Sequence, residues 1–138
     1  MRAKEYLKQV RKLDTLIKNK LIEKQQWHDL ALTITANMGG EKVQSSGSQS
    51  KMADAVDVCV DMEGEILREV INLRNTKTKV IQTIERLDNA TAYDVLHQRY
   101  VQYKSLQDIA DDYKKDYSWA TTVHVRALRY LQAILDEK

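Results

Sequence analysis

The chain of 138 residues contains no proline, no phenylalanine, four glycines and one cysteine. Helix breakers are therefore scarce, and 30% of the residues are charged, so the composition predicts an all-α protein. A single cysteine excludes an internal disulfide, which suits a reducing compartment. We do not expect a disulfide-stabilised secreted domain.

Long apolar runs are also missing, and none is long enough to cross a bilayer. The first residues, MRAKEYLKQVRK, are basic but lack the apolar core of a signal peptide. We therefore expect a soluble, cytoplasmic protein without a membrane partner.

The formal net charge of +2 is spread unevenly along the chain. Residues 1–32 hold eight Lys/Arg and four Asp/Glu, a net charge of +4. Residues 51–88 hold six and eight, a net of −2, and residues 89–138 hold seven of each. A neutral C-terminal part predicts weak non-specific DNA binding unless its basic side chains share one face.

Two long amphipathic helices are predicted in the N-terminal part. Apolar residues recur at steps of three and four over residues 2–32, and a nearly unbroken heptad seam covers residues 51–87. The seam contains Met52, Val56, Cys59, Met62, Ile66, Val70, Leu73, Val80, Ile84 and Leu87. Gly64 lies inside the second helix at a cost of about 1 kcal/mol, and it allows either a close neighbour or a bend.

Residues 33–50, TITANMGGEKVQSSGSQS, have no periodicity and are rich in glycine and serine, which predicts a flexible loop. Such a loop lets the two helices fold back on each other. We therefore predict a long antiparallel, coiled-coil-like hairpin over residues 1–88, with the loop at 33–50. The same apolar stripes can also pair between two chains, so a homodimer through the hairpin is an open alternative.

Residues 89–138 are predicted to form a separate unit of three helices. Asn89 or Thr91 can cap a helix over residues 92–102, and Ser105 can cap a second. Asp116 or Ser118 can cap the third, after a short turn. The last two helices form a helix-turn-helix, in which Ala110 provides the small side chain that a close crossing needs.

The segment SLQDIADDYKKDYSWATTVHVRALRYL resembles region four of bacterial sigma factors, which reads the −35 promoter element. The wider chain resembles phage sigma-region-four-like proteins of the RinA/ArpU type, which regulate late genes. The likeness includes VQSSGSQSKMADAV and YSWATTVHVRAL. It implies a DNA-binding regulator of phage late or packaging genes in the bacterial host cytoplasm, with host RNA polymerase as a second partner.

The early part of the last helix and the turn before it supply the predicted DNA-binding residues. Hydroxyls there can bond to bases or phosphates, methyl groups can contact thymine, and basic side chains can contact phosphates. The set comprises Lys114, Lys115, Tyr117, Ser118, Trp119, Thr121, Thr122, Val125, Arg126 and Arg129.

Two positions of the turn depart from the usual helix-turn-helix pattern, and the start of the last helix departs from the sigma-factor pattern. Such turns often carry glycine where Lys114 stands, because that residue adopts a positive φ, and an apolar residue where Lys115 stands. The arginine-rich start of a sigma recognition helix is replaced by Tyr117, Ser118 and Trp119, and no sigma region two is found. The protein is therefore not expected to open promoters alone.

Other chemistry is not indicated. His28, His97 and His124 have no metal-ligand spacing, and no nucleophile–base pair is found. We expect no cofactor, metal or enzymatic activity. The alternative function is a phage assembly or packaging adaptor, in which the hairpin binds proteins and DNA binding is weak or non-specific.

Overall fold

The computed structural model describes residues 1–38 and 46–137. These residues are all-helical and contain no strand, which confirms the predicted class. Five α-helices are present, and a π-helical turn over His97–Val101 follows the third. They are α1 (Ala3–Met38), α2 (Ser46–Ile84), α3 (Ala90–Leu96), α4 (Leu106–Asp112) and α5 (Tyr117–Asp136).

The predicted loop over residues 33–50 is too long. Residues 33–38 continue α1, and α2 already begins at Ser46; residues 39–45 lie outside the described part of the chain. The apolar stripe continues through the half-buried Ala31 and Ile34, which favours extension of α1. Serine and glutamine at the start of α2 cost only fractions of a kcal/mol each, and Gly47 costs about 1 kcal/mol, so composition alone was a poor guide there.

The chain divides into two compact units, Thr15–Ile71 and a second unit made of Met1–Asp14 and Asn72–Lys138. Helices α1 and α2 contribute to both units. The unit containing the C-terminus thus includes the first turns of α1 and the end of α2, along with α3, α4 and α5.

In the unit Thr15–Ile71, α1 and α2 run antiparallel. Lys20 Nζ lies 3.0 Å from Glu65 Oε2, and Lys24 Nζ lies 3.0 Å from Glu63 Oε1. These contacts lie at partly exposed side chains, so they orient the helices more than they stabilise them. Apolar burial between the helices is limited to a few side chains, mainly Ile17, Ala55 and Met62.

The heptad seam predicted for α2 is correct only in part. Ala55 is fully buried, whereas Val56 is 46% exposed and Val70 is 43% exposed. An α-helix of 3.6 residues per turn drifts from a seven-residue repeat, so a seam read from sequence can shift by one position. Cys59 is half-buried, and its thiol donates to the backbone oxygen of Lys24.

In the other unit, one core joins the first turns of α1 to the end of α2 and to α3 and α5. Its largest fully buried side chains include Leu7, Val10, Ile84, Leu96 and Leu131. Polar contacts surround this core: Tyr6 Oη lies 2.8 Å from Thr83 Oγ1, and the backbone N–H of Ala3 donates to Gln132. The start of the chain is therefore part of the framework that holds α5.

No helix in the described residues has the length and apolar character needed to span a membrane.

Candidate nucleic-acid interface

Helix α4 begins where the sequence predicted. Ser105 has an extended backbone, and its hydroxyl accepts a hydrogen bond from the N–H of Asp108 at 3.1 Å. This contact satisfies one of the free donors at the helix start. Ile109 and Ala110 face inward and are fully buried, while Gln107 and Asp108 are exposed.

The turn after α4 has the hydrogen bonds of a Schellman motif. Lys115 N–H donates to Ala110 O at 2.9 Å, and Lys114 N–H donates to Asp111 O at 3.0 Å. Lys114 has a φ of 57°, as expected for the position at which such turns often carry glycine. These bonds pair the carbonyl groups of Ala110 and Asp111, and four residues separate the end of α4 from the start of α5.

Helix α5 starts directly after this turn. Asp116 is its N-cap and accepts the N–H of Trp119 at 2.8 Å, so Asp116 rather than Ser118 caps the helix. On the inner side, Ala120 and Ala127 are fully buried, as Ala110 is in α4. The small side chains of Ala110 and Ala120 let α4 and α5 approach closely, whereas Ala127 belongs to the core shared with α1, α2 and α3.

Eight of the ten predicted DNA-binding side chains are exposed, namely Lys114, Lys115, Tyr117, Ser118, Thr122, Val125, Arg126 and Arg129. Tyr117 is 54% exposed and Val125 is 44% exposed. The remaining two, Trp119 and Thr121, are half-buried. The turn and the first two turns of α5 thus present a mixed basic, hydroxyl and apolar surface.

The threonine hydroxyls on this surface already donate within the helix. Thr121 donates to Tyr117 O at 3.0 Å, and Thr122 donates to Ser118 O at 2.9 Å. Their oxygens keep the ability to accept a hydrogen bond. A group of the duplex that forms a hydrogen bond with Thr122 in this state therefore has to be a donor, such as the amino group of adenine or cytosine. The methyl group of Thr122 can instead contact a thymine methyl group.

Trp119 packs against the preceding helix. Its ring centroid lies 5.1 Å from that of Tyr113, with the planes tilted by 43°. The hydroxyl of Tyr113 donates to Asp94 Oδ2 in α3, and Gln98 donates to the same oxygen at 2.7 Å. Burial and the bond to Asp94 raise the pKa of Tyr113 to about 12, so its phenol stays protonated and remains a donor at neutral pH.

A second polar link inside this unit has no signal in the sequence. His124 is 9% exposed, and its Nε2 lies 2.7 Å from the hydroxyl of Tyr100 in the π-helical turn. Burial, followed by the positive charges of Arg99 and Lys4, lowers the pKa of His124 to about 4. The imidazole is therefore neutral at pH 7 and has a structural place in the core.

The π-helical turn itself was not expected, since a regular helix was predicted over residues 92–102. Gln102 N–H donates to His97 O, and Tyr103 then adopts a φ of 62°. The widened turn places Tyr100 toward α5 and ends the helix before Ser105. Such turns depend on tertiary contacts more than on local propensity.

An open cavity of about 240 Å³ borders the predicted surface, lined by Thr91 in α3 and by Trp119, Arg126 and Tyr130 in α5, among other residues. Its wall contains the guanidinium of Arg126, the hydroxyls of Thr91 and Tyr130, and the aromatic rings of Trp119 and Tyr130. No group of three or more His, Cys, Asp or Glu side chains in the described part of the chain could hold a metal ion.

No family model, no curated protein and no solved structure matches this chain.

Proposed function

We propose that α4 and α5 form the helix-turn-helix of a sequence-specific, double-stranded DNA-binding transcription regulator. The observation that carries the proposal is the outward position of the first turns of α5, directly after the Schellman turn that closes α4. Tyr117, Ser118, Thr122 and Val125 are exposed there together. The N-terminal part of a recognition helix is the part that reaches base edges in the major groove.

The basic residues fit the same arrangement. Lys114 and Lys115 lie in the turn, and Arg126 and Arg129 lie further along α5; all four are exposed. Basic groups at both ends of a short polar surface suit contacts with the two phosphate backbones that border a groove. Since residues 89–138 carry no net charge, we expect modest non-specific affinity for DNA. Binding should release only a small number of counterions from the duplex.

The biological setting in this proposal comes from the sequence resemblance. It implies late or packaging genes of a phage as targets, host RNA polymerase as a further partner, and action in the bacterial host cytoplasm. Within this proposal, the paired α1 and α2 serve as a handle for protein contacts, and the recognition unit supplies the DNA contacts.

The test is selection of binding sites from random duplex DNA by the full chain, followed by fluorescence anisotropy on the selected duplex and a scrambled one. We expect tighter binding to the selected duplex, by about 1,000-fold or more. The double variant Thr121→Ala/Thr122→Ala should lose most of this preference for the selected duplex over the scrambled one. Thr78→Ala, an exposed threonine of α2, is the matched control and should bind like the unaltered protein.

A second candidate is a phage assembly or packaging adaptor, favoured by the large apolar side chains that α1 and α2 expose. In that case the selection yields no enriched sequence. Binding would then be equal for every duplex and abolished by moderate salt, which would contradict the regulator.

A further inference from the structure

The unit Thr15–Ile71 holds most of the large hydrophobic side chains that are exposed in the described chain. Eleven of the 15 large hydrophobic side chains that are exposed belong to it. They are Leu16, Leu21, Ile22, Trp27, Leu30, Leu32, Val56, Val60, Leu67, Val70 and Ile71, each between 39% and 60% exposed. Two antiparallel helices cannot bury all of these against each other.

Part of this surface forms a regular stripe on α2. Val56, Val60, Leu67 and Ile71 follow at steps of four, seven and four, which places them on one side of the helix. They are 46%, 59%, 60% and 51% exposed, respectively. We call these four residues the outer stripe.

Gly64 lies within the outer stripe, four residues after Val60 and three before Leu67. A Cβ atom at Gly64 would meet only the flexible end of Arg68, at 3.6 Å. Packing within the chain therefore does not require glycine here, although glycine costs about 1 kcal/mol in a helix. A glycine at the centre of an apolar stripe lets another helix approach closely.

The charges beside the outer stripe are self-complementary. Asp57 and Asp61 flank it before Gly64, and Arg68 flanks it after Gly64 on the same side. None of the three forms a salt bridge with another described residue. If two copies of α2 cross antiparallel at Gly64, Arg68 of each copy lies opposite Val60 of the other copy. Val60 lies between Asp57 and Asp61, so Arg68 is placed between these two aspartates.

The apolar area of the outer stripe suits a small interface. Full burial of a Val, Leu or Ile side chain is worth about 1.5–3 kcal/mol, which at about 25 cal/mol/Å² corresponds to roughly 60–120 Å². The four half-exposed side chains of the outer stripe thus offer roughly 120–240 Å² per chain. This is about a quarter to a half of the roughly 450 Å² of apolar area that each partner contributes to a standard interface, so we expect a weak dimer.

We propose that the occupant of the outer stripe is a second copy of this chain, bound antiparallel through α2 with the crossing at Gly64. The isologous geometry brings Arg68 of each copy to Asp57 and Asp61 of the other, twice per dimer. This inference does not depend on DNA binding, because it uses only the unit Thr15–Ile71.

Sedimentation velocity of the full chain over a concentration series tests the dimer. A monomer has a mass of 16.0 kDa, and we expect a shift to twice that mass with increasing concentration. The variant Val60→Lys/Leu67→Lys should weaken association by more than about 100-fold, because four lysines would enter the apolar contact. Leu30→Lys, on an exposed leucine of α1, is the matched control and should leave association unchanged.

Charge exchange tests the antiparallel arrangement. Arg68→Glu alone should weaken the dimer, since it places like charges opposite one another, and so should Asp57→Arg/Asp61→Arg. The triple variant should restore association. Circular dichroism checks that every variant keeps its helical content, which is expected because the altered side chains are exposed.

Gly64→Leu should stabilise the folded monomer but weaken the dimer. In the Val60→Lys/Leu67→Lys monomer it should raise thermal stability, because leucine is the better helix former. In the otherwise unaltered protein it should weaken dimerisation by blocking the close approach. A chain that stays monomeric at several hundred micromolar, or a dimer that all of these variants leave intact, overturns the proposal.

Discussion

The hydroxyl of Tyr100 and Nε2 of His124 lie 2.7 Å apart inside the C-terminal unit, and their rings stack with centroids 5.6 Å apart. The pair joins the π-helical turn to the middle of α5, behind the surface proposed to read DNA. Both partners are buried, so breaking the bond would leave a polar group without a partner.

This pair predicts a specific dependence of stability on pH. His124 has a folded pKa of about 4 and an ordinary value of 6.5, lowered by burial and by Arg99 and Lys4. Between these values the unfolded chain binds the proton that the folded chain excludes. Stability should therefore fall as pH drops from about 6.5 to about 4, by up to about 1 kcal/mol per pH unit.

Urea unfolding at several pH values between 4 and 7 measures this slope. The carboxylates also make stability depend on pH in this range. His124→Gln measures their contribution alone, because glutamine keeps hydrogen-bonding ability but does not titrate. The unaltered protein should show the steeper slope. Equal slopes for the two proteins would mean that folding does not lower the pKa of His124.

Lys114 supplies a second prediction, because its φ of 57° is costly for any residue with a Cβ atom. Lys114→Gly should stabilise the protein by about 1 kcal/mol, which corresponds to about 4 °C in Tm. Lys114→Ala controls for the lost charge and should not stabilise. Lys115→Gly, at the neighbouring position without a positive φ, should bring no gain. Differential scanning calorimetry distinguishes these outcomes.

The local signals in the sequence were reliable where one residue fixes a local structure. Ser105, Asn89 and Asp116 were all candidates for caps, and all three accept a backbone N–H in the structure. A cap depends on a side chain and on backbone atoms two or three residues away, so the information is present in the sequence. The small, buried Ala110 was predicted on similar grounds.

Features that depend on distant partners were not predictable in this way. Tyr100 and His124 are 24 positions apart, and a histidine among polar neighbours gives no sign of burial. One compact unit combines Met1–Asp14 with the C-terminal helices, which no periodicity reveals. In α2 the buried position is Ala55 and not the predicted Val56. This one-position shift also depends on a distant partner, because it is set by how α1 lies against α2.

Ala110 allows a third prediction. It is fully buried where α4 packs against α5, so Ala110→Leu would force an extra isobutyl group into a filled space. Overpacking of this kind costs about 1–3 kcal/mol. Urea denaturation should show this loss, together with weaker DNA binding because α5 would be displaced.

Gln107→Leu is the control for that experiment, because it adds a similar side chain to the exposed side of the same helix. Its stability should change by less than about 0.5 kcal/mol. If both variants lose the same stability, the effect comes from leucine in α4 in general and not from the crossing at Ala110.

The last prediction separates phosphate contacts from base contacts on the proposed surface. Lys115 lies in the turn and is exposed, so Lys115→Ala should weaken binding to every duplex alike and reduce the salt slope by about 1. Thr122→Ala should leave the salt slope unchanged and lower only the preference for the selected sequence. Anisotropy titrations at four salt concentrations on the selected and scrambled duplexes measure both quantities. A change of salt slope for Thr122→Ala, or a loss of preference for Lys115→Ala, would mean that the recognition helix sits in the groove differently from the arrangement proposed here.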